Sequence, residues 1–146
     1  MDINNMATLT IPNYTYYGQV IPINKLTLIA ALAGTGKSYT TIKFFNTLNI
    51  VPIYCNLDYT PIGDLVAQQY DETLLHHAFI TKDLTGMSGR VLVIDTYTRY
   101  ASYIAQYTPL KGKELETYVS NLLEDFAEHN NCTVVIIGHP NDYVGK

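Results

Sequence analysis

The apolar run Leu26-Thr27-Leu28-Ile29-Ala30 passes directly into Ala31-Leu32-Ala33-Gly34-Thr35-Gly36-Lys37-Ser38. A buried strand, a small-residue loop and a Lys-Ser pair opening a helix make the arrangement of a phosphate-binding loop, the Walker A element. This feature constrains the fold most, because the loop works only where a strand delivers it and a helix receives it. Gly34 and Gly36 let backbone N–H groups turn inward around an anion, with no Cβ in the way. Lys37 then reaches the β- and γ-phosphates, and the Ser38 hydroxyl is placed to hold Mg²⁺. The positive N-terminal end of the helix adds to the attraction. Ala33, Gly34, Thr35, Gly36, Lys37, Ser38 and Tyr39 are the expected nucleotide-binding set. Ala31 stands where the motif has its first glycine, and it is small enough to serve.

The remaining pattern suits that demand. Helical spacing through Tyr39, Ile42, Phe45 and Leu48 follows the loop. Ile50 to Asn56 reads as a second strand, 62–70 as a short helix, and a further helical turn precedes Ala78-Phe79-Ile80. Arg90 to Asp95 is a third apolar run. A long helix is expected over roughly 112–129, with Leu115, Val119, Leu122, Leu123 and Phe126 on one face and Glu116, Asn121, Glu124, Asp125 and Glu128 on the other. Thr133 to Gly138 is the last strand. Uniformly apolar strands alternating with helices predict an α/β fold, a mainly parallel sheet covered on both faces. Residues 1–24, interrupted by Pro12 and Pro22, read as an N-terminal arm or edge strand, and 25–146 as the nucleotide-binding core of a single domain.

Composition narrows the function. A chain of 146 residues with 47% hydrophobic and 15% charged residues is large and apolar enough to bury a core. The net charge of −4, with Arg90 and Arg99 as its only arginines, gives no basic footprint for nucleic acid and argues against a wide phosphate-tracking surface. A few loops of a ring-shaped assembly could still grip single-stranded DNA. No apolar run is long enough to span a bilayer, and the start lacks the features of a secretory signal, so a cytoplasmic protein is expected. Cys55 and Cys132 lack metal-ligand spacing and read as small buried hydrophobes. The His76-His77 pair has no third ligand and reads as a solvated helix end. Richness in Tyr, Asn, Ile and Thr suggests an A·T-rich genome, such as that of a phage or bacterium.

Asp95, at the carboxyl end of Val91-Leu92-Val93-Ile94, fits Walker B and would hold a water of the Mg²⁺ shell opposite Ser38. Such an acid elsewhere caps a helix or shapes a turn; the phosphate loop upstream favours the metal role. Thr96 follows, so no glutamate beside Asp95 polarises the attacking water. Asp58, just past the second strand, is the candidate for that task, with Asn56 as the alternative and a turn-forming role as the other reading. His139 follows the last strand, where it would either sense the γ-phosphate or lie at the surface. Tyr97, Tyr100, Tyr103 and Tyr107 recur at near-helical spacing. They suit either a base-stacking platform or, the favoured reading, rings packed on the sheet edge or a neighbouring subunit with their hydroxyls wet.

Together the phrase Val20-Ile21-Pro22-Ile23-Asn24-Lys25-Leu26-Thr27-Leu28, the phosphate loop and the later strand ends resemble RecA-like P-loop ATPases. The resemblance is closest to the AAA-labelled group that includes the hexameric plasmid replication helicase RepA and relatives of DnaB. It implies a three-layer sandwich with strand order 5-1-4-3-2 and ATP with Mg²⁺ as ligands. It also implies a homo-oligomer acting in DNA replication or recombination, with single-stranded DNA or a replication protein as partner. It places the catalytic acid on Asp58, an Arg-containing stretch on Asp95-Thr96-Tyr97-Thr98-Arg99-Tyr100, and the sensor on His139. Lys37, Asp58 and His139 are thus the expected catalytic set. The chain stops at Lys146, before the strands and loops that carry DNA contacts and the finger residue in that group, so a shortened core or a piece of a longer protein is expected. An ATP hydrolase is the leading expectation. A non-catalytic nucleotide-binding switch or partner-binding module is the alternative. A small P-loop kinase ranks below both, since its lid needs arginines that this chain lacks.

Overall fold

In the computed structural model, the described residues are 21, 23–30, 37–57, 68–70, 75 and 86–138. They build strands β1 (Leu26–Ala30), β2 (Ile53–Asn56), β3 (Gln68–Tyr70), β4 (Val91–Asp95) and β5 (Thr133–Gly138). Helices α1 (Lys37–Thr47), α2 (Tyr97–Ile104) and α3 (Gly112–Asn130) accompany them, with a 3-10 turn at Ala105–Tyr107 between the last two. The strands form one sheet in the order β1-β5-β4-β2-β3, and every adjacent pair is parallel. The fold is α/β. The four runs read as strands in the sequence lie in the order first, fourth, third, second, as expected.

Strand alternation divides the core. Leu92 and Ile94 of β4, Val134 and Ile136 of β5, and Ile53 and Cys55 of β2 face α2 and α3. On that side they meet Tyr100, Ile104, Val119, Leu123 and Phe126. Val91 and Val93, Val135 and Ile137, Ile29 and Tyr54 face the other way, against Ile42, Phe44 and Phe45 of α1. Each strand residue therefore belongs to one layer or the other by its parity. β4 and β5 are buried along their whole length, as central parallel strands with both faces covered should be.

Two helices end on a left-handed asparagine, Asn49 after α1 and Asn131 after α3. The Ile50 N–H turns back to the Phe45 carbonyl (2.9 Å), and the Cys132 N–H to that of Ala127 (3.1 Å). Asparagine tolerates this conformation better than other non-glycine residues, so each helix stops where the chain must turn into a strand.

Several expectations need correction. The second strand starts at Ile53, not Ile50, because Ile50 closes the α1 cap, Val51 is exposed and Pro52 has no N–H to pair. Residues 68–70, read as the end of a helix, are β3: the open edge of β2 takes them up in parallel, Ile53 opposite Gln68, and pairing overrides the helical spacing. The tyrosine segment packs on β4, β5 and α3, over the centre of the sheet rather than its edge. Tyr97, Tyr100 and Tyr103 are buried and only Tyr107 is exposed, so they form no stacking platform and the Tyr100 hydroxyl is not wet. The Tyr103 and Tyr107 hydroxyls lie 3.1 Å apart. The N-terminal arm at 1–20, residues 62–67 of the expected short helix, His76-His77 and Ala78-Phe79-Ile80 lie outside the described residues.

Cys55 in β2 and Cys132 just before β5 are both buried and form no disulfide, with β4 between β2 and β5. Burial pushes the Cys132 thiol up from an ordinary 9.0 to about 11, and burial first, then Cys55, Tyr118 and Tyr103, pushes the Tyr100 hydroxyl well above its usual range. In the unfolded chain both groups ionise earlier than in the fold. Their contribution to stability is therefore full below pH 9.0 and is lost as pH rises toward about 11 and beyond. Urea midpoints measured across that window should decline, and Cys132→Ala should make the decline shallower.

Candidate functional site at the carboxyl ends of the strands

The strand registers align the carboxyl ends in one row: Ala30 opposite Gly138, Ile137 opposite Asp95, and Asp95 opposite Asn56. The segments that leave this edge begin at residues 31, 139, 96 and 57. A single end of the sheet thus carries the acid of β4 together with the carboxyl ends of β1, β2 and β5. Ligands of open α/β sheets bind at such an edge.

Asp95 is the centre of what is seen there. Its parity, shared with Val91 and Val93, sends its side chain to the α1 side of the sheet. It is 1% exposed. A carboxylate so far from water needs hydrogen-bond donors, and two hydroxyls supply them. Ser38, in the first turn of α1, donates its Oγ–H to Asp95 Oδ2 across 57 residues of sequence. Tyr54, wholly buried in β2, donates its hydroxyl to the same oxygen. The Leu57 N–H donates to the Asp95 backbone carbonyl at 2.7 Å, so the segment leaving β2 is tied to the end of β4. The Asp95–Thr96 peptide is cis.

The fold thus brings Ser38 and Asp95 together. Lys37 is the first residue of α1. Tyr39 is exposed, with the Lys43 ammonium 5.1 Å from its ring centroid. Asn56 is the cross-strand partner of Asp95 and is half-buried. Ala33, Gly34, Thr35, Gly36, Asp58 and His139 lie outside the described residues. Among the described residues no group of three His, Cys, Asp or Glu side chains could hold a metal ion by itself. A phosphate-loop site has no such need, because one hydroxyl, one carboxylate and the nucleotide's own phosphates share the Mg²⁺. The hydroxyl–carboxylate pair fits that donor set.

Sequence reasoning missed Tyr54. The available signal was a phenol inside an apolar strand, since a buried tyrosine hydroxyl seeks a partner. Which partner depends on register: Tyr54 faces Val93, two residues before Asp95 on the same face, within reach of a long side chain.

No protein-family model matches the chain, and no curated protein matches it. Among the described residues no helix is long and apolar enough to cross a membrane.

The shared acceptor has a measurable consequence without any ligand. Asp95→Ala leaves two hydroxyls without their acceptor and should cost about 1–3 kcal/mol of stability for each donor left unsatisfied. Asp95→Asn keeps a carbonyl oxygen in place and should cost less. Urea unfolding of the two variants measures the difference.

Proposed function

We propose that the chain is a Mg²⁺-ATP-binding, RecA-like P-loop ATPase domain that works as a homo-oligomer in DNA replication or recombination in the cytoplasm. One observation carries the reading: the Ser38 hydroxyl that follows the phosphate-loop sequence donates to the buried Asp95 carboxylate at the end of β4. Support also comes from the strand order, in which β5 lies between β1 and β4. That order agrees with the resemblance to RecA-like ATPases.

In this reading the loop amides and the start of α1 receive the phosphates, and Lys37 balances charge on the γ-phosphoryl group as it transfers. Ser38 and Asp95 would hold Mg²⁺, which when bound neutralises charge on the β- and γ-phosphate oxygens. Asp58 orients the attacking water, and His139 reports loss of the γ-phosphate to the segment that follows it. Contact with single-stranded DNA falls to segments other than α2, whose tyrosines are buried. A second reading, a nucleotide-binding switch without turnover, gains from Asn56: the residue paired with Asp95 across the sheet is an amide and not an acid.

Lys37→Ala should abolish nucleotide binding in a fluorescent-ATP titration. Wild-type affinity in that variant defeats the phosphate-loop assignment. Asp58→Asn separates hydrolase from switch: it should keep ATP affinity while turnover drops on the order of 10²–10⁴-fold, the usual contribution of a water-orienting base. A parent chain that binds ATP tightly but shows no phosphate release, even at high protein concentration and with single-stranded DNA present, selects the switch.

A further inference from the structure

We propose that Tyr54 is a positioning residue for the metal-holding carboxylate, the group that keeps Asp95 anchored to the sheet while Ser38 serves the cation. The inference rests on the Mg²⁺-ATP reading above. Its basis is the difference between the two donors that meet on Asp95 Oδ2. Ser38 arrives from α1, the helix that directly follows the phosphate-loop sequence, and is only partly buried. Tyr54 arrives from β2, which is hydrogen-bonded to β4 in parallel register from Ile53–Leu92 to Asn56–Asp95. Its ring is fully buried among Val91, Val93 and the α1 phenylalanines.

The torsion that swings a carboxylate about its Cβ–Cγ bond is broad, so a single donor leaves it free to pivot. A second donor from a separate element fixes the plane. Tyr54 provides that second donor from a strand whose position relative to Asp95 is set by the sheet ladder. If the Ser38 oxygen turned to a cation, the bond from Tyr54 would still hold the carboxylate in place on the sheet. Groups that orient a metal ligand through a hydrogen bond typically affect metal affinity by 10–100-fold. In the Mg²⁺-ATP reading Asp95 would act through water, which would place Tyr54 at the low end of that range.

The test is a Mg²⁺ titration of fluorescent-ATP binding to the wild-type chain and to Tyr54→Phe, with a parallel measurement in EDTA. The expected result is a Mg²⁺ midpoint raised about tenfold in the variant, with metal-free nucleotide affinity unchanged. A purely structural role would weaken both measurements together or neither. An unchanged midpoint overturns the role of Tyr54 and leaves the ATPase reading intact. A wild-type chain that binds no nucleotide overturns both. If circular dichroism shows that Tyr54→Phe does not fold, proton NMR of the wild-type chain decides. The Tyr54 hydroxyl proton should give a slowly exchanging downfield resonance that moves with Mg²⁺-ADP and not with ADP in EDTA. A resonance that stays put with Mg²⁺-ADP overturns the proposal.

Discussion

A carboxylate removed from water must be given donors, and the Asp95 side chain meets that requirement by drawing three elements to one oxygen. β4 supplies the acid, β2 supplies the Tyr54 hydroxyl and α1 supplies Ser38. These bonds form only if α1 packs on the face toward which the odd-numbered residues of β4 point. They also require β2 to lie in its observed register against β4. The polar cluster is therefore as demanding of the fold as the apolar core beneath it. A slip of one residue in either strand would turn Asp95 or Tyr54 into the opposite layer.

The two apolar layers play complementary parts. Among the described residues the layer under α2 and α3 is the larger, and it contains three buried tyrosines whose rings pack while their hydroxyls must be accommodated locally. The layer under α1 is smaller and built largely from β-branched residues of the strands with Phe44 and Phe45 of the helix. Those two rings meet edge to face, with centroids 5.2 Å apart. Close packing there fixes the seat of α1 on the sheet, and with it the position from which Ser38 reaches Asp95.

Much of this was legible in the sequence, for identifiable reasons. Thr133–Gly138 and Val91–Asp95 are unbroken apolar runs bounded by polar residues, and a run buried on both faces leaves little else to be. Leu26–Ala30 was readable because the glycine-rich segment marks its end. The pairing of Ser38 with Asp95 followed from motif chemistry. What escaped was whatever depends on a partner distant in sequence. β3 is three residues with no strand pattern of their own, created by an open edge on β2. The tyrosines of α2 carry a spacing that shows a face, yet spacing does not say whether that face meets sheet or solvent. Tyr54 looked like one more strand residue until the register set it diagonally across from an acid.

The place of β5 has a consequence for how the chain comes to be folded. β1 pairs with β5 and, among the described strands, with no other, so Leu26 finds its neighbour at Val134. A chain leaving the ribosome releases β1 well before β5 and must wait for β5 before these two strands can pair. Until then the apolar residues of β1 lack the β5 ladder. Closure over so long a loop is slow, because its entropy is lost before the contacts reward it. The nascent chain thus carries the hydrophobic β1 without its β5 partner until Val134 has been made, a stretch suited to a chaperone's grasp.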